Sequence, residues 1–343
     1  MANVVFENSV LEAKLTELMD SKLQVRGLMS VDDSLSQSAG LTKTVNRYTY
    51  NGKVETLAGG EANTSEGQLT FVPEEYTVKR YQQTFRYNDV EAMKDPSIID
   101  MALSGIADVM ANQIRSEYFD ELSKADRRHP FASNALTYGD VVDALGELGR
   151  EVEDGLFIIM SSECRTAIRR DSDFCSARQG EVMYTGQFGT LCGIPVLFSN
   201  RVPDGKAIIT DKAAVKFFVK KEAALEQDRD IETKINTIVY ERHGLIALVD
   251  DTSTVLIGPA AASLTVTLSS KTPTVSGKVA SSNEVWYKLN CSTPLWDDPI
   301  DEAHGWVKWT SGAISALGAG DRLVMAERDA GKACVSAGYA VAV

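Results

Sequence analysis

From Ile99 onward the chain keeps one helical face apolar for many turns, with Leu103, Ile106, Met110, Ile114, Tyr118 and Leu122 recurring three or four residues apart. Asp95 followed by Pro96 supplies a helix start, an N-cap residue before a proline at the first helical position. Carried to Asp126, the pattern predicts a rod of about 31 residues and roughly 46 Å, long for a globular helix. Ser9 and Glu12 form a capping box ahead of Leu11, Leu15, Leu18 and Met19, which predicts a shorter helix over Val10 to Arg26. Thr137 opens another, bearing Val141, Leu145, Leu148 and Val152 and ended by Gly155. The run Leu156 to Met160 reads as a buried strand leading into a helix from Glu163 to Arg170.

Elsewhere the period drops to two. Lys43 to Tyr50 alternates, Asn51 and Gly52 give a short hairpin signal, and Lys53 to Leu57 reads as the returning strand. After a Gly-rich tip from Ala58 to Gly67, a second extended run from Leu69 to Tyr87 is interrupted by Pro73. So long an excursion with so little core must pack on something else. From Gly186 to Asp251 short apolar runs alternate with turns. Pro195 in Leu191 to Phe198 requires a bend or an edge position there, because proline donates no ladder hydrogen bond.

The spacing Gly189, Gly193, Pro195, Val196, Ser199, Asn200, Val202, Pro203, Gly205, followed by Tyr240, Glu241, Arg242, Gly244, Ala247, Leu248, Val249 and Asp250, resembles the second half of the HK97-type major capsid proteins of tailed bacteriophages. The resemblance extends over Val10 to Gly258. It implies an α+β fold with an N-terminal arm (1–41), an extended loop lying over a neighbouring subunit (42–87), a spine helix with a peripheral domain (88–136), an axial domain (137–230) and peripheral return strands (231–258). It also implies a virion protein that self-assembles into the pentamers and hexamers of an icosahedral shell around double-stranded DNA, built in the cytoplasm of a bacterial host. A portal protein is an implied partner. The encapsulin nanocompartments, which share the fold and surround enzymes, are the nearest alternative. Because the arm-like helix begins near Met1, scaffolding is expected from a separate protein or not at all.

Composition narrows the chemistry. A net charge of −13 argues against a protein that reads nucleic acid through a basic surface, so DNA would be enclosed without sequence-specific binding. No run approaches the roughly 20 apolar residues that span a bilayer, and no membrane partner is expected. Five cysteines (Cys164, Cys175, Cys192, Cys291, Cys334) are scattered without a C-x-x-C pair, as buried free thiols would be. P-loop, dinucleotide, H-E-x-x-H and G-x-S-x-G patterns are missing, so neither an enzyme nor a cofactor is expected. His129, His243 and His304 read as structural, and no catalytic, cofactor or metal residues are assigned. Asp228, Asp230 and Glu232 alternate and would place three carboxylates on one strand face; a solvated contact face is preferred to a cation site. Lys53 lies where one branch of the family forms a covalent crosslink, but no partner pattern matches it.

Gly258 and Pro259, followed by Ala260 to Ala262, read as a linker. Beyond it, Ser263 to Val343 holds all four tryptophans and a near-neutral balance of eight acidic and seven basic residues. It is expected to be a separate β-sandwich-like domain projecting outward, the place for an external ligand. Trp286, Trp306 and Trp309 are expected in its core, as clustered tryptophans usually are, with Trp296 exposed; a carbohydrate platform is the alternative.

Overall fold

The computed structural model describes residues 6–342 except 8, 23–27, 52, 53, 58–61, 63, 65, 96, 133, 134, 151–153, 173–188 and 270. In chain order the elements are β1 (Phe6–Glu7), α1 (Ser9–Lys22), β2 (Ser30–Asp32), β3 (Thr42–Asn51), β4 (Gln68–Thr77), β5 (Lys79–Asn88), α2 (Asp89–Lys94) and α3 (Ile98–Leu122). They continue with β6 (Arg128–Phe131), α4 (Tyr138–Leu148), β7 (Leu156–Met160), α5 (Ser162–Arg170), β8 (Thr190–Leu191), β9 (Ile194–Phe198), β10 (Ala207–Asp211), β11 (Val215–Arg229), β12 (Ile235–Leu248) and β13 (Val255–Pro259). The last part comprises β14 (Ala262–Ser263), β15 (Thr265–Ser269), β16 (Thr272–Ser276), β17 (Glu284–Leu289), β18 (Val307–Trp309), β19 (Arg322–Arg328) and β20 (Cys334–Val341). The chain divides into two compact units, Met1–Glu121 with Lys212–Asp250, and Leu122–Asp211 with Asp251–Val343.

The first unit is built on β11 and β12, antiparallel from Val215↔Leu248 to Arg229↔Asn236 with two register shifts between Val219 and Ala224. β5 adds antiparallel to β12 from Ile235↔Asn88 to Gly244↔Lys79, β1 adds antiparallel to the far end of β11, and β2 adds parallel to the start of β11. The apolar face read from sequence is buried on α3 from Leu103 to Leu122. Its polar side is tied to the strands: the Tyr81 hydroxyl donates to Glu117 (2.7 Å), the Tyr76 hydroxyl to Glu121 (3.1 Å), and Lys79 to Glu117 (3.1 Å). The helix stops at Leu122, short of the expected Asp126. The Ala125 N–H turns back to the Leu122 carbonyl, and the Arg128 guanidinium donates to the Ser123, Ala125 and Asp126 carbonyls, which closes the chain into a turn.

The second unit has a six-stranded sheet of order β6-β13-β10-β7-β9-β8. β7 is central and buried at every position, as its unbroken apolar run requires. Helix α4 begins on the expected Thr137 cap but ends at Leu148, because Gly149 adopts φ 61° and terminates it before Gly155. Pro195 lies in β9 next to the two-residue edge strand β8, with Cys192 and Gly193 turning between them at positive φ. β11 belongs to the first unit, so the segment 137–230 divides at Asp211.

The same unit contains the tail sheet, of order β14-β20-β19-β17-β18, and the β15-β16 hairpin. Alternation along β19 sends Leu323 and Met325 to one cluster with Leu264, Val285, Ile314 and Leu317, and Val324 and Ala326 to another with Trp286, Ile300, Trp306 and Ala337. Trp286 and Trp306 are core, Trp309 is half-buried and Trp296 is 50% exposed. Buried Glu327 accepts from the Val279 and Ala280 N–H groups and from Asn283 and Ser336. Burial alone would raise its pKa, but these donors hold it below the usual range.

The expected linker is not one. Gly258 and Pro259 are inside β13, pairing with β6, and a Cβ on Gly258 would come within 3.1 Å of Leu295 and 3.2 Å of Lys206. The Trp296 N–H donates to the Pro259 carbonyl and Ala260 bridges to Leu295. Asp298 of the tail is buried between Arg128 (2.7 Å) and Lys206 (2.8 Å) and also accepts from the Leu295 N–H (2.9 Å). The tail is therefore fastened by an ion cluster to the sheet that precedes it.

Asp298→Ala would leave Arg128 and Lys206 buried without their carboxylate, which costs about 3–5 kcal/mol. Urea unfolding should show a lower midpoint, and protease should reach residues 259–262 more readily than in the wild type. Burial acts to raise the Asp298 pKa, but the two cations outweigh it and the net shift is downward. The contribution is then present above the unfolded aspartate value of ~4 and is lost only as pH falls through the lower folded value. The difference between wild type and Asp298→Asn should persist down to about pH 4 and shrink below it.

Candidate assembly surfaces

β3 and β4 form a two-stranded ribbon in strict register, from Thr42↔Thr77 to Asn51↔Gln68. This differs from the expected tight hairpin. Asn51 pairs with Gln68, residues 54–57 carry no strand, and Gly52 and Lys53 lie outside the described residues. Extending the cross-strand pairing won over the local Asn-Gly signal, and the segment 52–67 became the connection. The run Leu69 to Tyr87 is two strands, since β5 leaves the ribbon to join β12.

The two faces of the ribbon differ. On one, Val45 and Tyr76 are buried with Leu35, Phe218, Leu245 and Ala247, the Lys43 ammonium sits 3.6 Å above the Phe218 ring, and Arg47 pairs with Glu74 at 3.0 Å. Burial, with the neighbouring Glu121 and Glu74 carboxylates, pushes the Tyr76 hydroxyl pKa upward, so it remains a donor. On the other face, Tyr48 stands directly across from Phe71, with Leu69 two residues along. They are 60%, 58% and 59% exposed. Val54 and Leu57 beyond them are exposed as well. Large side chains in cross-strand contact with one face bare form a contiguous apolar surface of the kind that marks an interface.

A second apolar patch lies at the far end of the β11-β12 pair. Asp89 accepts from Arg229 (2.5 Å) and Asn236 (2.6 Å), fixing the start of α2 to the strands. The Arg229 guanidinium, then Asn236, hold the Asp89 pKa below its ordinary value. Around this anchor Val90, Met93 and Ile231 are exposed. The three alternating carboxylates do not share a strand face here. Asp228 is the last residue but one of β11, whereas Asp230 and Glu232 lie beyond its end, where the Asp230 carboxylate accepts from the Glu232 N–H and the Thr233 hydroxyl. Among the described residues no cluster suited to a metal ion occurs.

The histidines are dispersed. His129 contacts Glu147 (3.0 Å), His304 contacts Asp301 (2.6 Å), and His243 is on β12 in the other unit. Cys164 and Cys291 are buried thiols whose pKa burial pushes up to about 11; Cys334 is shifted upward too. Cys192 is half-buried and Cys175 lies outside the described residues.

Comparison with known proteins identifies the family. The family described as phage capsid protein matches residues 72–258. The chain belongs to the phage capsid protein family. The major capsid protein of Staphylococcus phage phiMR11 is 23% identical over 269 residues, covering 74% of this chain and 94% of that one. The capsid of cyanophage P-SCSP1u superposes with a TM-score of 0.56 at 11% identity, over 69% of this chain and 88% of that one. A chain of Mycobacterium phage Che8 gives 0.51 at 14%, over 75% and 93%. The SrpI encapsulin of Synechococcus elongatus also gives 0.51 at 14%, over 69% and 86%, so the fold alone does not separate the two kinds of shell. The family match does, and this is an HK97-type phage major capsid protein.

Among the described residues, Tyr48 and Phe71 belong to no buried cluster of their unit. The Tyr48→Asp and Phe71→Asp variants of this capsid protein should therefore unfold within about 0.5 kcal/mol of wild type. Light scattering and sedimentation should nonetheless show assembly strongly reduced.

Proposed function

We propose that this capsid protein forms the pentamers and hexamers of an icosahedral head around double-stranded DNA, assembled in the cytoplasm of the bacterial host. A portal protein and a separate scaffolding protein are its expected partners. The observation that carries this reading is the ribbon: anchored by Val45 and Tyr76 on one face, it presents Tyr48, Leu69 and Phe71 on the other, where a neighbouring subunit supplies the missing cover. We assign β3 and β4 to the extended loop, α3 to the spine helix, the β5-β11-β12 sheet to the peripheral domain and the β7-centred sheet to the axial domain. The role is structural and involves no catalytic step. A charge of −13 supports enclosure of DNA by a wall, since a phosphate-neutralising surface would require excess lysine and arginine.

Electron microscopy of the protein, purified alone and after co-expression with its genomic neighbours, should show closed shells with five-fold and six-fold capsomers. Particles from infected cells should protect double-stranded DNA from nuclease. Dispersed monomers in every preparation would overturn the shell, and particles filled with an enzyme cargo would favour the encapsulin alternative.

A further inference from the structure

The family match ends at Gly258, so the capsid role leaves the surface of the tail sheet unassigned. One edge of that sheet holds a cleft of about 430 Å³ between β16, β17 and β18, within the size range of small-molecule sites. Trp309 lines it while packing partly against the cluster of Ile314, Leu317 and Val285, and its indole N–H is held by the Gly312 carbonyl at 3.2 Å. The ring is thus fixed before any ligand arrives. Glu284 and Lys308 line the same cleft as an ion pair, and Glu284 is further oriented by the Trp286 indole N–H (3.1 Å). Asn283, Thr274 and Thr310 complete the polar lining.

The charged side chains of the cleft already have protein partners. Lys308 faces Glu284, and Lys278 donates to the Ser281 and Asn283 carbonyls. Two lysines face one carboxylate, which Arg328 also approaches at 3.5 Å, so the cleft keeps a small net positive charge. An ammonium has three donors and a carboxylate several acceptor positions, so both retain capacity beyond their mutual contact, as do the two threonine hydroxyls. A fixed aromatic ring beside closely spaced donors and acceptors matches one chemistry in particular. A pyranose has an apolar C–H face to lie on the ring, and hydroxyls that each donate and accept around its rim.

We propose that the tail domain binds a saccharide in the cleft bounded by Trp309, Glu284 and Lys308. The site is solvent-open and its charged groups already have protein partners, so single sugars bind weakly. Useful affinity comes from the many copies presented by one shell, since linked sites multiply without new contacts.

Saturation-transfer NMR on assembled full-length particles, with the methyl glycosides of glucose, mannose, galactose and N-acetylglucosamine as probes, tests this directly. At least one should bind saturably, with magnetisation transferred mainly to the protons of one ring face. Trp309→Ala should weaken that binding by about tenfold. Thr310→Val, which removes a hydroxyl from the rim without touching the core, should also weaken it. Trp296→Ala, which removes an exposed tryptophan outside this cleft, should leave it unchanged. Circular dichroism of each variant separates lost binding from lost folding; should Trp309→Ala fail to fold, Thr310→Val and Trp296→Ala decide. The proposal is overturned if no glycoside binds saturably, or if folded Trp309→Ala and Thr310→Val particles bind as wild type does. Loss with Trp296→Ala alone overturns it too, by placing the sugar elsewhere.

Discussion

The pairing of β11 with β12 is the constraint on which the first unit depends. Strands of 15 and 14 residues, roughly 50 Å at the usual rise, cannot satisfy their outer edges by themselves. β5 covers one edge, while β1 and β2 occupy opposite ends of the other. Gly244 shows how tightly this is set: a Cβ there would lie 2.8 Å from both the Phe217 ring and the Phe218 carbonyl. The residues around that point also form the floor to which the ribbon is fixed, through Phe218, Leu245 and Ala247. A displacement of the strand pair would therefore be transmitted to the ribbon, and its bare apolar face is presented in the direction that the strand pair dictates.

The second unit solves a different problem. A tail sheet of five short strands offers a modest core, and two clusters divided by the sheet must each be closed. One is closed partly by the chain entering from β13, with Ala261 packed on the tryptophan cluster. The buried Asp298 then fixes the angle of entry. A hydrophobic contact tolerates sliding, whereas a carboxylate held by two cations and a backbone N–H has one arrangement that satisfies it. Whether the cluster adds net stability over an apolar substitute is a separate matter from the large cost of breaking it.

Much of this was legible in the residues. The apolar face of α3, the all-buried β7 and the cap at Thr137 follow from spacing and local chemistry, which need no knowledge of distant partners. What failed to show was non-local. Asn51-Gly52 is a good turn in isolation, yet Gln68 to Thr77 pairs with the whole of β3. Gly258, Pro259 and three alanines have the composition of a linker because their side chains are small, and at Gly258 the reason is packing, since Leu295 and Lys206 come close to its backbone. Asp298 carries no signal at all in the sequence: its partners are 170 and 92 residues away. The Asp228, Asp230, Glu232 alternation was misread because the strand ends between its members.

Identity of 10–16% to the superposed capsid chains, with TM-scores just above 0.5, indicates which features the fold retains. A sheet with one face under a long helix needs apolar residues at the right period and little else, so side-chain identities can drift while burial is kept. The bare ribbon is different in kind. Among the described residues, Tyr48, Leu69 and Phe71 gain little within one subunit beyond their cross-strand contact, and solvation would favour polar residues on an exposed strand face. Their chemistry fits the proposed cover by a neighbouring subunit. For a shell protein the subunit is thus an incomplete structure, and its unsatisfied surface is where its function is written.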